Sequence, residues 1–255
     1  MKSYSKFFLT VLFISFISFY SCSDNSQEPA PPETQKDYFP NSNGSSYVYD
    51  LQVTDNLNNT IAGERSVNYN GTSNIDGSNY QILIDHFNYV VYSVTDSAYF
   101  RKTTEEVFYN TDNSQVMMLV PDSLRSLVVV DKEACLLDLP FSIGKTWQVY
   151  KLALNVGVLF NVVNVTANVE GIENVSLTVN NQAFNKEAVK LKFQLAVSVD
   201  IMMPAQYFYA EAWMVENIGL VKLEGNSEAI NFMIGNNLFA PNSQVKQTLK
   251  GYSIP

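Results

Sequence analysis

From Val189 to Val199 the chain alternates: Val189, Leu191, Phe193, Leu195, Val197 and Val199 are apolar, with Lys190, Lys192, Gln194 and Ser198 between them. A strand turns successive side chains to opposite faces, so this run predicts a long strand with one buried and one wet side. That is the mark of an antiparallel sheet, since parallel sheets are covered on both faces. Val163, Val165, Ala167 and Val169 predict a second strand of the same kind. Shorter β-branched and aromatic runs lie at 47–53, 65–69, 80–84, 89–94, 97–101, 107–109, 116–120, 127–130, 147–154, 175–179, 207–215, 219–224 and 229–234. Asn70-Gly71, Asp76-Gly77 and Glu224-Gly225-Asn226 punctuate them as turns. No segment beyond residue 40 carries a convincing helical period, although 181–186 has room for one turn. The expected fold class is all-β. Strands of this length favour an antiparallel meander that forms a strongly curved sheet or open half-barrel over a compact seven-strand sandwich.

One short pattern occurs twice, one hundred residues apart. Phe39-Pro40-Asn41-Ser42-Asn43-Gly44-Ser45-Ser46-Tyr47 returns as Leu139-Pro140-Phe141-Ser142-Ile143-Gly144-Lys145-Thr146-Trp147. In both, Pro sets the approach, Gly permits a sharp turn, and the aromatic opens a strand and packs inward. The echo predicts a β domain over 38–255 built from two similar halves, 38–138 and 139–255. It requires Gly44 and Gly144 each to precede a strand, with Tyr47 and Trp147 facing the core.

The first 37 residues have a different character. Residues 1–21 read as a secretory signal peptide: Lys2 and Lys6 provide the positive start, and an apolar run over 7–20 follows. That run is about fourteen residues long, and crossing a bilayer takes roughly twenty. Ser21-Cys22 resembles the lipobox of bacterial lipoproteins, whose cysteine is acylated and becomes the new N-terminus. Phe19 and Tyr20 depart from the Leu and small residue usual there. Residues 22–37 then form a lipidated cysteine and a tether, polar and proline-bearing, with too little apolar surface to offset the entropy of ordering. Ser23-Asp24 reads either as a plain spacer or as a faint likeness to a surface-export signal.

The residues around the echo resemble a family of uncharacterised secreted and lipid-anchored proteins common in Bacteroidetes. The likeness rests on Tyr38-Phe39-Pro40…Gly44…Tyr47-Val48-Tyr49, Gly144-Lys145-Thr146-Trp147, Gly219-Leu220-Val221-Lys222 and the closing Leu249-Lys250-Gly251-Tyr252. Tyr47 stands where that family usually has Trp, and Asn41 where it has Leu. The resemblance implies export and one β domain over 38–252, and it brings no activity. It places the chain in the cell envelope, as an outer-membrane lipoprotein facing the periplasm or the surface, held to the membrane by its N-terminal lipid.

Charge excludes one class of partner. The chain has 16 basic and 25 acidic residues, and loss of Lys2 and Lys6 with the signal moves the net charge from −9 to −11. Without a basic cluster, nucleic acid is not an expected partner. Only two cysteines are present. With Cys22 acylated no internal disulfide can form, and Cys135 reads as a small buried hydrophobe.

Catalytic and metal constellations are weak. His86 is the lone histidine, and Asp85 beside it on a strand points the other way. One histidine and one interior cysteine cannot make a zinc site. Glu105, Glu106, Asp131, Glu133 and Asp138 read as solvated turn residues, with a pair facing across a cleft as the alternative. No cofactor is expected, and the chain is not read as an enzyme. Asp55-Asn56-Leu57-Asn58-Asn59 reads as a hairpin turn. Asp96-Ser97-Ala98 and Asp122-Ser123-Leu124 match a short O-glycan acceptor motif if those serines are exposed.

The candidate binding residues are Met202, Met203, Tyr207, Tyr209 and Trp213. Alternation sets Tyr207, Tyr209 and Trp213 on one face of a strand with Glu211, and Phe208, Ala210, Ala212 and Met214 on the other. Met202-Met203-Pro204 joins two long strands as an apolar, adaptable loop. The leading expectation is an envelope protein that holds an apolar or amphipathic ligand under its concave face, with Met202 and Met203 near the mouth, or serves a structural role. The alternatives are a surface carbohydrate- or protein-binding module using Tyr207, Tyr209 and Trp213, and a carboxylate-dependent hydrolase.

Overall fold

The alternating run forms strand β10 (Gln182–Val197), and β9 (Leu159–Val179) pairs with it antiparallel over almost its whole length. Leu191, Phe193 and Leu195 are buried while Lys192 and Gln194 are partly exposed, as the spacing predicts. This computed structural model describes residues 36–89, 93–111, 113, 122–198, 202–234 and 238–255. The predicted signal, Cys22, the tether as far as Gln35 and the predicted strand at 116–120 lie outside the described residues.

The other strands are β1 (Ser46–Thr54), β2 (Thr60–Ile75), β3 (Ser78–Tyr89), β4 (Ser93–Lys102), β5 (Glu106–Asn110), β6 (Val128–Val130), β7 (Glu133–Asp138), β8 (Thr146–Asn155), β11 (Gln206–Val215), β12 (Gly219–Asn226) and β13 (Gln244–Ser253). All thirteen described strands share one antiparallel sheet, ordered β6-β8-β9-β10-β11-β12-β13-β1-β2-β3-β4-β5-β7. Two meanders are joined where β13 pairs with β1. The sheet is open but strongly curved. In a flat sheet β8 and β7 would stand about 50 Å apart, at about 4.8 Å per strand. Here the Trp147 indole on β8 donates to the Cys135 carbonyl on β7 at 3.0 Å. The edge strands are consecutive in sequence, so 128–138 serves β8 with its first residues and β5 with its last.

The repeated motif has the same geometry at both places. Gly44 and Gly144 have φ of 93° and 85°, a region costly for residues with a Cβ. Gly44 donates to Tyr69 and Tyr69 to Ser45; Gly144 donates to Val169 and Val169 to Lys145, each at 2.9 Å. Tyr47 and Trp147 are buried at the starts of β1 and β8. One step further the register of the second strand shifts, after Tyr69 in β2 and at Glu170 in β9.

Residues 229–234, expected as a strand, are helical. They belong to α2 (Ser227–Ile234); a single turn, α1 (Asp122–Arg125), is the other helical piece described. Ala229, Ile230, Met233 and Ile234 follow helical spacing, which eight residues are too few to make obvious. The turn allowed for at 181–186 is instead part of the β9–β10 hairpin. α2 lies between β12 and β13 and fills the space inside the curved sheet. Ile230 is fully buried, Phe232 packs on Tyr150 with ring centroids 5.2 Å apart, and Phe239 packs edge-on against Phe87 at 6.1 Å.

The apolar interior holds a charged network. Arg65 on β2 makes a two-pronged contact with Asp85 on β3 (2.6–3.0 Å) and donates to the side-chain amide oxygen Oε1 of Gln247 on β13 at 2.9 Å. All three are buried. Removing one partner of such a pair leaves a bare charge in the core, whereas replacing both with apolar residues removes the desolvation cost as well. Asp85→Ala is expected to lose about 3–5 kcal/mol in urea unfolding, and the double variant Arg65→Met/Asp85→Leu much less. Equal losses would mean that the charges do not interact as described.

Candidate functional site

Antiparallel pairing lines up the outward side chains of neighbouring strands into rows that cross the sheet. On the outer face of the second meander three rows stand out. The first runs Thr166, Gln194, Tyr209, Asn226, Gln244, Thr54 across β9 to β1. Asn226 joins it by accepting the Tyr209 backbone N–H at 2.8 Å. The second runs Asn168, Lys192, Glu211, Glu224, Lys246, Gln52. The third contains Lys190, Trp213 and Lys222.

Most of the charges in these rows are paired. Lys190 reaches Glu211 at 2.8 Å and Glu170 at 3.1 Å, Lys192 reaches Glu170 at 3.6 Å, and Lys222 reaches Glu224 at 2.9 Å. Burial works to lower the Lys190 pKa, but Glu211 and Glu170 outweigh it and hold the ammonium above the ordinary lysine value. Trp213 lies under these lysines, with Lys222 Nζ 3.8 Å and Lys190 Nζ 5.3 Å from its ring centre, and its indole N–H donates to Glu173. Tyr209 differs: it is 39% exposed, with Lys192 Nζ 5.1 Å from its ring centre. It borders two open polar depressions, of about 400 Å³ toward Thr146, Thr166 and Gln194 and about 560 Å³ toward Thr54, Asn226 and Gln244.

The candidate residues therefore separate. Tyr207, Tyr209 and Trp213 share the outer face, and Ala210, Ala212 and Met214 face the core. Tyr207 and Tyr209 are exposed, while Trp213 is 3% exposed and unavailable for stacking. Met202 and Met203 are exposed in the loop between β10 and β11 and do not border the interior. The interior itself leaves about 110 Å³, bordered by Phe39, Leu83, Phe193, Met214 and Met233 among others. Ligand pockets are about 300–1,000 Å³, so α2 and the core side chains occupy the space the expected apolar ligand would need.

The remaining candidates play structural parts. His86 bonds Thr95 at 2.8 Å on the outer face, while Asp85 points inward to Arg65. Glu133 is held by Arg101 and Tyr80, and Asp138 by Lys145. Asp55 accepts from Leu57 and Asn59 within its hairpin, and the Asn59 bonds keep its carboxyl below the ordinary range. Burial, with Glu106 and Asp138 nearby, pushes the Cys135 thiol up to about 12, which leaves it inert at neutral pH. Among the described residues, no group of three or more His, Cys, Asp or Glu is placed to hold a metal. Ser97 is exposed on β4; the side chain of Ser123 lies outside the described residues.

Gly225 sets the height of Tyr209. A Cβ there would overlap the Tyr209 carbonyl oxygen and stand 2.6 Å from the Ala210 Cα, so only glycine lets β12 approach β11 this closely. At Gly144 a Cβ would meet nothing within 4 Å, leaving only the backbone cost. Gly144→Ala is thus expected to cost about 1–2 kcal/mol in chemical denaturation, and Gly225→Ala clearly more, with a changed Tyr209 fluorescence or NMR environment. Equal costs would show that the close approach at Gly225 does not matter.

No protein-family model matches the chain, and no curated protein matches it. Solved structures similar to it include the following three. A protein from Parabacteroides distasonis described as a candidate lipoprotein shares 14% identity at a TM-score of 0.42, covering 86% of this chain and 99% of that one. A candidate exported protein with a YmcC-like fold from Bacteroides fragilis shares 13% at 0.46, with the same coverages. The hypothetical lipoprotein YmcC from Escherichia coli shares 11% at 0.33, covering 98% of this chain and 96% of that one. With identities this low, the functional reading rests on the geometry of the chain itself.

Proposed function

We propose that this chain is an exported, lipid-anchored protein of the cell envelope whose β domain binds an oligosaccharide, without catalysis, on its outer face around Tyr209. The observation that carries the reading is Tyr209 itself: a half-exposed aromatic ring between two polar depressions, in a row of amide and hydroxyl side chains. An aromatic face offers the apolar contact that a sugar ring needs, and amides and hydroxyls offer directional hydrogen bonds to its hydroxyls. The filled interior weighs against an internal apolar ligand, and the carboxylates held by Arg101, Tyr80 and Lys145 weigh against hydrolysis.

Export and anchoring are supported by the sequence before residue 38. Metabolic labelling with an alkyne fatty acid should mark the wild type and leave Cys22→Ala unmarked; equal labelling would refute the anchor at Cys22. For binding, the mature chain is screened on an oligosaccharide array and the hits are titrated by calorimetry. Tyr209→Ala should weaken them about tenfold or more, as loss of a central aromatic contact does, with little change in melting temperature. Full binding by Tyr209→Ala would remove this face from consideration.

A further inference from the structure

We infer that the ligand of this face is an uncharged, linear oligosaccharide lying across the strands along the Tyr209 row; this rests on the oligosaccharide reading above. Thr166, Gln194, Tyr209, Asn226, Gln244 and Thr54 are neutral hydrogen-bonding side chains, one from each of six adjacent strands. Five strand spacings of about 4.8 Å give a track of about 24 Å with a polar group at every step. One spacing is close to the length of a single sugar ring, so the track suits a chain of rings better than one ring.

Charge selects the class of sugar. Glu170 and Lys192 border the first depression and pair with each other. Glu211, Glu224 and Lys246 border the second, and Glu211 and Glu224 are already bound to Lys190 and Lys222. With Glu170 and Glu173 beside them, four carboxylates face four lysines (Lys190, Lys192, Lys222 and Lys246), and the face carries no net charge. An acidic sugar would meet no net positive charge and, apart from Lys246, would have to draw lysines such as Lys192 from their carboxylates. A cationic sugar would have to draw the carboxylates from their lysines. A neutral sugar disturbs none of these pairs and can use the amides directly.

The test titrates the mature chain with six-unit oligomers of neutral hexoses (glucose in α and β linkage, and mannose), of galacturonic acid and of glucosamine, at low and high salt. The expected result is binding of at least one neutral oligomer, at least tenfold tighter than its disaccharide. The dissociation constant should move less than about twofold between 0.05 and 0.5 M NaCl, because no net charge is neutralised. Gln194→Leu and Gln244→Leu should each weaken binding several-fold. Preference for the acidic or the cationic oligomer, or Tyr209-dependent binding that salt abolishes, overturns this inference while leaving the oligosaccharide reading intact. No binding of any oligomer overturns both. Unchanged melting temperatures and circular dichroism for the variants separate lost contacts from lost fold.

Discussion

The Arg65 guanidinium sits where the two meanders meet, and the alignment of everything outside depends on what it holds inside. It ties β2 to β3 through Asp85 and reaches past β1 to Gln247 on β13. A slip of one residue in any of these strands would turn a charged or amide side chain from its partner to the wrong face. Burying charge is costly, and a buried pair is weak ground for overall stability. Its contribution here is to register: a purely apolar interior tolerates sliding better than one with a directional bond at the seam. Registered strands inside mean registered rows outside, and a row of side chains is what the proposed site consists of.

The two meanders begin alike and then diverge in chemistry. Aligned at Tyr69 and Val169, the pairings set Leu83 against Leu191 and Ala98 against Ala212. By the same alignment the Lys190, Lys192 and Tyr209 positions correspond to Ile82, Ile84 and Thr95. The first meander has a charged pair inside, Arg65 and Asp85, where the second has Val165 and Phe193. Similar backbones thus carry an ionic pair in the core of one meander and apolar side chains at the matching positions of the other.

Much of the fold was readable from spacing. The alternation at 189–197 marked the inner and outer faces, and the Pro-x3-Gly-x2-aromatic echo marked two turns that share their hydrogen bonds. Parity carries a further signal: Arg65 has the parity of Val67 and Tyr69, and Asp85 that of Leu83 and Phe87. Two opposite charges on inward positions of neighbouring strands point to a buried pair. α2 was missed because an eight-residue helix surrounded by strands offers too few repeats of its period. The site was half readable. Sequence put Tyr207, Tyr209 and Trp213 on one face, but it could not say that Lys190 and Lys222 cover Trp213. Nor could it align Thr166, Gln194, Gln244 and Thr54, whose sequence separations reach far beyond any local pattern, without the pairing register.

The segment between β12 and β13 has a bearing on what such a sheet can become. α2 and Phe239 fill the hollow, yet they hang from one connection between two strands that are hydrogen-bonded to each other anyway. A short hairpin there would leave every strand pairing in place and the middle empty. Whether a curved sheet of this kind is a solid body with a working exterior or a container with a working lumen is therefore decided by the length of a single loop. Lineages could pass from one architecture of use to the other by insertion or deletion at that point, with the strand order untouched.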